Sequence, residues 1–241
     1  MPGAEVLLML LALGLYVFDA AWLLYANEAV LMPAGRGRWK AAFGSDQTRL
    51  LGRELLLPDL LAPHRPVFRL SWRFEGDRSE AVSGDWARLA DALRPAAILV
   101  WGMAAALFVL LPLGLFSRIG APLVLAAVAM LYLLIAATLL WLLRHRESLG
   151  LSGRRLAALA FEALICPPLA INLLRKVAAG QAIAEPFPAA AQRLLAAEDW
   201  LTARAECLAR VDEEIDAESG DSPRLTALQA QRERFRAEVA A

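Results

Sequence analysis

Asp19 is the residue best placed to do chemistry. It interrupts the apolar run Val6 to Ala26, and an ionisable group inside such a run is costly to keep in lipid and is a functional suspect by default. Tyr16, Asp19, Trp22 or Leu23, and Ala26 share one helical face, so the Tyr16 hydroxyl can reach the carboxyl one turn away. Three roles fit Asp19: a structural carboxyl, neutral or reached by water at the inner interface; a contact to a partner transmembrane helix; or a proton or ion relay working with Glu162. The other two apolar runs hold no Arg or Lys in their cores. The carboxyl is therefore expected to be protonated or to pair with something outside that bundle.

A second cluster comprises Glu162, Cys166, Pro167, Pro168 and Asn172, all within Leu156 to Leu174. Tandem prolines remove two backbone donors and clash with the preceding turn, so a helix must break or kink there. Broken helices that line a cavity at membrane depth are typical of substrate and ion sites. The plainer alternative is a kinked interfacial helix in which Asn172 satisfies carbonyls freed by the prolines. Cys166 reads as a small packed residue rather than a nucleophile, since no base accompanies it. Arg154 and Arg155 precede this stretch and Arg175 and Lys176 follow it. Positive charge on both sides favours two short helices lying in, or dipping into, one leaflet. A fourth span is the alternative, and it would carry everything after Lys176 to the other side.

Little else suggests catalysis. Cys166 and Cys207 show no CxxC spacing, and His64 and His145 stand alone. No zinc, thioredoxin or secreted-disulfide framework emerges, and no metal or cofactor is expected. Phosphate-loop, dinucleotide, HExxH and GxSxG patterns are missing from the sequence. Charges balance at 25 against 25, and the Arg-rich stretches lack the aromatic interleaving of a single-stranded nucleic-acid binder. Nucleic acid is not an expected partner.

The elements that must position these residues are set by a lipid-like composition: 59% of residues are hydrophobic and the mean hydropathy is +0.47. Three stretches have the roughly 20 apolar residues that a bilayer-crossing helix needs: Val6 to Ala26, Pro95 to Phe116 and Pro122 to Leu143. In the middle one, Gly102 and Ala106 form a small-xxx-small pair that allows close helix approach. The first run lacks the basic n-region of a cleavable signal and is expected to stay as an anchor. Arg36, Arg38 and Lys40 follow the first run, Arg78, Arg88 and Arg94 precede the second, and Arg144, Arg146, Arg154 and Arg155 follow the third. The tight link at residues 117–121 has only Arg118. The excess of basic residues on one side predicts the N-terminus outside and the long loop and C-terminal region in the cytoplasm. Trp22, Trp101 and Trp141 fall near the ends so assigned, where indole rings settle. With Lys40 and Lys176 the only lysines, the Ala, Leu and Arg richness suggests a GC-rich bacterial genome and hence a bacterial inner membrane.

Between the spans, Ser45 to Leu57 reads as a short helix lying on the membrane surface, its leucines spaced with Arg49 and Arg53. Val67 to Glu75 alternates, with Phe68, Leu70, Trp72 and Phe74 on one face, as in a half-buried strand. No partner strand is evident. The segment is expected either to pack as an extended arm on its own chain or to pair through those four residues with another. The tail predicts a helical hairpin. Leu194, Ala197, Leu201, Leu208, Val211 and Ile215 recur at helical spacing, as do Leu225, Leu228, Phe235 and Val239, with Gly220 as a stop signal and Asp221 or Ser222 before Pro223 as a start signal. Arg204 and Arg232 interrupt the seams, and the acidic run Asp212 to Glu218 reads as a solvated face.

The expected architecture is an all-α membrane protein with at most one isolated short strand. Its parts are an N-terminal span (1–26, N-out), a cytoplasmic loop region (27–94), a transmembrane hairpin (95–143), an interfacial or re-entrant segment (144–180) and a cytoplasmic helical tail (181–241). The expected function is that of a membrane-anchored accessory or scaffold subunit without catalytic activity, acting through a protein partner or a second copy. A transporter or channel subunit using Asp19 and Glu162 is the alternative, and a membrane enzyme on a lipid-linked substrate ranks third.

Overall fold

A computed structural model describes residues 3–35, 37–72, 85–181, 185–218, 220 and 222–237. Over these residues the chain is mostly helical but has six strands in two small sheets, which corrects the all-α expectation. It divides into two compact units.

The first unit holds the apolar helices. They are α1 (Gly3–Ala20), α2 (Trp86–Leu93), α3 (Ala97–Ala105), α4 (Leu111–Phe116) and α5 (Ala121–Arg144). Asp85 caps α2 by accepting the Arg88 N–H at 3.0 Å, and the run from α2 through α4 is continuous. Three helical stretches, α1, Trp86–Phe116 and α5, are long and apolar enough to cross a membrane by length and composition. Their outer faces are apolar: Leu7, Ile98 and Leu125 are 68%, 75% and 73% exposed. The first helix ends at Ala20, short of the expected Ala26, because Trp22–Leu24 enters a strand.

The α4–α5 hairpin closes tightly where Gly114 faces α5. A Cβ there would stand 2.7 Å from the Val124 backbone nitrogen, so only glycine allows this approach. Gly102 likewise faces Leu134, in keeping with the small-residue spacing. Between α3 and α4 one turn, Ala106–Leu110, winds as a π-helix, a local widening that re-aims side chains. Here the Phe108 ring meets Tyr16 of α1 at 5.3 Å.

After α5 the chain makes α6 (Gly153–Ile165), α7 (Pro167–Ala170) and α8 (Leu173–Ala179). Ser152 caps α6 through the Arg155 N–H. The helix breaks at Cys166, whose φ of −129° and ψ of 81° suit a residue preceding proline. The chain then doubles back. Arg155, in the first turn of α6, donates to the carbonyl of Lys176 at 2.6 Å and to that of Gly180. The start of α6 and the end of α8 therefore lie side by side. The far end of this hairpin sits against the middle of α5, where the Tyr132 hydroxyl donates to the Leu164 carbonyl at 3.3 Å.

The second unit contains β1 (Trp22–Leu24), β2 (Glu28–Gly35), β3 (Arg38–Phe43), β4 (Ser45–Leu50), β5 (Arg53–Leu56) and β6 (Phe68–Ser71), with α9 (Phe187–Leu194), α10 (Ala197–Ala217) and α11 (Pro223–Ala237). The strands form two three-stranded sheets, ordered β1-β5-β4 and β3-β2-β6. Two expectations fail here. Ser45 to Leu57 is a β-hairpin, not a surface helix, because Leu51 and Gly52 both adopt positive φ, 54° and 73°. That is the geometry of a two-residue hairpin turn matched to strand twist, and Leu50 pairs with Arg53 across it. The alternating segment, in turn, is not isolated. Its residues 68–71 form β6 beside β2, and Trp72 continues the pairing by donating its N–H to the Asn27 carbonyl at 3.1 Å. Phe68, Leu70 and Trp72 are buried inside the chain itself; Phe74 lies outside the described residues.

Around Phe43 the rings of Trp72 and Phe187 stand 5.8 and 5.7 Å away. One ion pair is buried in this unit. Arg210 of α10 donates to Glu54 of β5, to the Gly44 carbonyl at 2.8 Å and to Glu206 at 2.8 Å, with Arg210 and Glu54 side chains 5% and 3% exposed. The tail hairpin forms, with Gly220 and a capping Ser222 between α10 and α11. Its seam differs from the one expected. Leu201 is 59% exposed, whereas Arg204 is buried and donates to the Phe235 carbonyl at 2.6 Å. The acidic run is not purely solvated, since Asp212, Glu213 and Glu214 pair with Arg232, Arg49 and Arg224.

Leu51 offers a direct test of the turn. It is 89% exposed, so little packing offsets a left-handed conformation that costs a leucine roughly 1–2 kcal/mol. Leu51→Asn creates the preferred Asn-Gly pair and should stabilise this unit by about 1 kcal/mol, read as a higher midpoint in denaturant unfolding. An unchanged or lower midpoint would contradict the assigned turn.

Candidate functional site

The polar residues singled out in the sequence meet at the C-terminal end of α1. Asp19 sits in the last turn of that helix, and its carboxyl lies against α8 rather than beside Tyr16. Lys176 Nζ reaches Asp19 Oδ1 at 2.6 Å and also pairs with Glu162 Oε1 of α6. Asn172 Nδ2 donates to Asp19 Oδ2 at 3.0 Å and to the Tyr16 carbonyl at 3.3 Å. One lysine thus bridges two carboxylates drawn from different helices.

The local reason is the Pro167-Pro168 break. It folds α6 and α8 into a hairpin, so Glu162 before the break and Lys176 after it face each other. Asn172 and Lys176 are four residues apart and occupy one side of the α8 start, the side turned to α1. Exposure grades across the cluster. The Asp19, Lys176 and Glu162 side chains are 11%, 20% and 38% exposed, and Asn172 is buried.

Arg175 extends the network. Its guanidinium donates to Asn172 Oδ1 at 3.3 Å and to the carbonyls of Asp59 and Ala62 at 2.5 and 3.0 Å. The Tyr16 hydroxyl donates to the neighbouring Leu60 carbonyl at 2.5 Å. Together they strap the proline-punctuated segment 57–68 onto the helix ends. Two bases and two carboxylates therefore balance within one hydrogen-bonded cluster, which is the condition for keeping charge away from water.

Asp19 meets the second of its two expected outcomes, a partner outside the bundle of apolar runs, with Lys176 of α8 supplying the cation. Other expectations are corrected. Tyr16 binds a loop carbonyl instead of the Asp19 carboxyl. Asn172 satisfies a carbonyl of α1, not one freed by the prolines. Cys166 is partly buried at the helix break and Cys207 is fully buried in α10; burial pushes the Cys207 thiol up from its usual range, so it is a packed, inert group. Lys176, Arg155, Arg175 and the carbonyls of 59–62 lie beyond the candidate residues that the sequence offers. The i, i+4 spacing of Asn172 and Lys176 was the available signal.

Of the two histidines, His64 neighbours Arg175 of the cluster, and His145 lies at the end of α5. The His64 ring lies 5.4 Å from Trp101, and burial together with Arg65 and Arg175 pulls its pKa down. His145 stacks on Trp141 at 4.5 Å. Compared with protein-family models, curated proteins and solved structures, the chain matches none.

The shared lysine predicts an order of effects. Lys176→Met leaves two carboxylates facing each other without their cation and should destabilise by up to about 3 kcal/mol. Asp19→Asn keeps Lys176 paired with Glu162 and should lose about 1 kcal/mol. Adding Asp19→Asn to Lys176→Met should restore part of the loss. Unfolding in mild detergent tests this, and equal losses for the two single variants would remove Lys176 from the centre of the cluster.

Proposed function

We propose that the protein is a membrane-anchored accessory or scaffold subunit of a bacterial inner membrane, without catalytic chemistry of its own. Its three apolar helices cross the bilayer with the N-terminus outside, and its sheet-and-helix unit is held in the cytoplasm. The observation that carries this reading is the closure of the polar cluster. Asp19, Glu162, Asn172, Arg175 and Lys176 are all used in holding α1, α6, α8 and the 57–68 segment together. Groups engaged in this way anchor a structure. The exposed apolar faces of α1, α3 and α5 suit lipid rather than water, and the basic residues collect at one set of helix ends.

Within this reading segment 152–181 is re-entrant. Arg155 ties the two ends of the hairpin to one another, which supports both lying on one side of the membrane. The contact between Tyr132 and Leu164 lies about 18 Å along α5 from Arg144, at 1.5 Å per residue, which favours a tip near mid-bilayer. The tip residues Pro168, Ala170 and Ile171 are buried, as irregular backbone at that depth requires. The exposed face of α6, with Phe161 and Ile165 at 69% and 65%, turns to lipid.

A transporter or channel subunit is the second reading, favoured by one observation: both intramembrane carboxylates share a single lysine. Substitutions separate the two. In a scaffold, Asp19→Asn with Glu162→Gln leaves ion and proton flux in reconstituted vesicles unchanged while the protein still co-purifies with a partner from native membranes. Loss of flux in that double variant, or recovery of the wild type alone and monomeric from gentle extracts, would overturn the scaffold assignment. For the topology, single cysteines at Ser117 and Gly150 in a Cys166→Ala, Cys207→Ala background should be labelled by an impermeant maleimide from opposite faces of the membrane.

A further inference from the structure

At the other end of the first unit a groove of about 550 Å³ opens between the start of α1 and the α4–α5 turn, lined by Gly114, Leu115, Gly120, Ala121, Val124 and Leu125 along with Glu5 and Val128. Its wall is apolar apart from one group. Glu5 stands in the first turn of α1, and its Oε2 is buried with no hydrogen-bond partner. The size lies within the range of small-molecule sites, which are mostly apolar with a few placed polar groups.

A first-turn acid is stabilised by the helix dipole, which explains why a glutamate is tolerated here. It does not explain a carboxyl oxygen that has lost water and gained no donor, a costly arrangement. What completes it is an N–H donor carrying positive charge. The neighbouring surface states what that donor is attached to. Leu125 is 73% exposed beside the groove and Val128 is 37% exposed, so the trough is continuous with a face suited to hydrocarbon. The same link carries Arg118, exposed and in no ion pair among the described residues, a cation for a phosphate.

We propose that this groove binds a phospholipid with a primary-amine headgroup, of the phosphoethanolamine class. Its ammonium donates to Glu5, its phosphate faces Arg118, and an acyl chain lies along Leu115, Val124 and Val128. A primary ammonium is required because a trimethylammonium headgroup has no N–H to give the buried oxygen. An anionic glycerol headgroup is opposed by the carboxylate. Gly114 sets the groove's floor by letting α4 and α5 approach closely, since a Cβ there would meet the Val124 backbone at 2.7 Å. The site rests on the reading that α4 and α5 lie in lipid.

The full-length chain in nanodiscs of mixed phosphatidylethanolamine, phosphatidylcholine and phosphatidylglycerol, released into native mass spectrometry, tests both levels. Failure of the chain to enter nanodiscs refutes the membrane reading itself. Entry with retention of phosphatidylethanolamine over phosphatidylcholine by about tenfold, the ratio expected for a charge-assisted hydrogen bond, supports the site. Glu5→Gln should bring that ratio to near one, and Val128→Trp, which fills the trough while leaving the carboxyl, should lower retention of the bound lipid. Equal retention of the three lipids by the wild type would overturn the proposal. So would a Glu5→Gln variant that keeps the preference, or one that loses all lipids in parallel, which would mark Glu5 as a helix-end acid only.

Discussion

The architecture of the helical unit depends on one ammonium group. Asp19 and Glu162 come from helices far apart in sequence, and two carboxylates held together away from bulk water repel each other. Lys176 turns that repulsion into a bridge. Its flexible four-carbon stem lets the charge sit among apolar neighbours while reaching both acids. Without it α6 loses its ionic link to α1, and α8 keeps only the Asn172 hydrogen bonds. The tandem prolines make the hairpin possible, and the lysine gives it an address.

A second pattern runs through both units. Buried or half-buried arginines end on backbone carbonyls at the termini of elements. Arg155 takes those of Lys176 and Gly180, Arg175 those of Asp59 and Ala62, Arg210 that of Gly44, and Arg204 that of Phe235. Helix ends and irregular turns leave carbonyls without partners, and a guanidinium offers five donors in a fixed fork. In a chain so rich in Ala and Leu, with few side chains able to cap or cross-link, arginine does this throughout. Arg155, one of the basic residues from which the sequence predicts an orientation, is thus also a structural fastener.

The parts legible in the sequence were those governed by a single strong signal. Apolar length marked the three long helices, with the third placed to within a residue while the first ends at Ala20 and the second begins at Trp86, and the Pro-Pro pair marked the break in the fourth segment. Gly220 and Ser222-Pro223 marked the tail turn. The sheets were hidden because their strands are short and their composition is ambiguous. Leu50, Leu51, Leu55 and Leu56 fit a helical spacing as well as a hairpin, and only the unexpected left-handed Leu51 decides between them. Glu28–Gly35 includes Pro33 and lacks clean alternation, so the partner of β6 went unseen. At the site, the identities of Asp19, Glu162 and Asn172 were legible as oddities. Their meeting at Lys176 was not, because it depends on a hairpin closed by an arginine and two carbonyls, contacts that leave no periodic trace.

The way the cluster is closed bears on what it can do. A relay group must exchange partners, holding a proton or ion in one state and releasing it in another, which requires two arrangements of similar energy. Here Asp19 is held by Lys176 and Asn172, Asn172 is also bound to the Tyr16 carbonyl, and Lys176 is fixed through its backbone by Arg155. The Lys176 ammonium turns on its own flexible stem, while the backbone that carries it is tied to the start of α6 by Arg155. Only Glu162, the most exposed of the three, is free to gain or lose contacts with its surroundings while the rest stays in place. An arrangement with one loose member and several held ones fixes the end of α1 against α6 and α8.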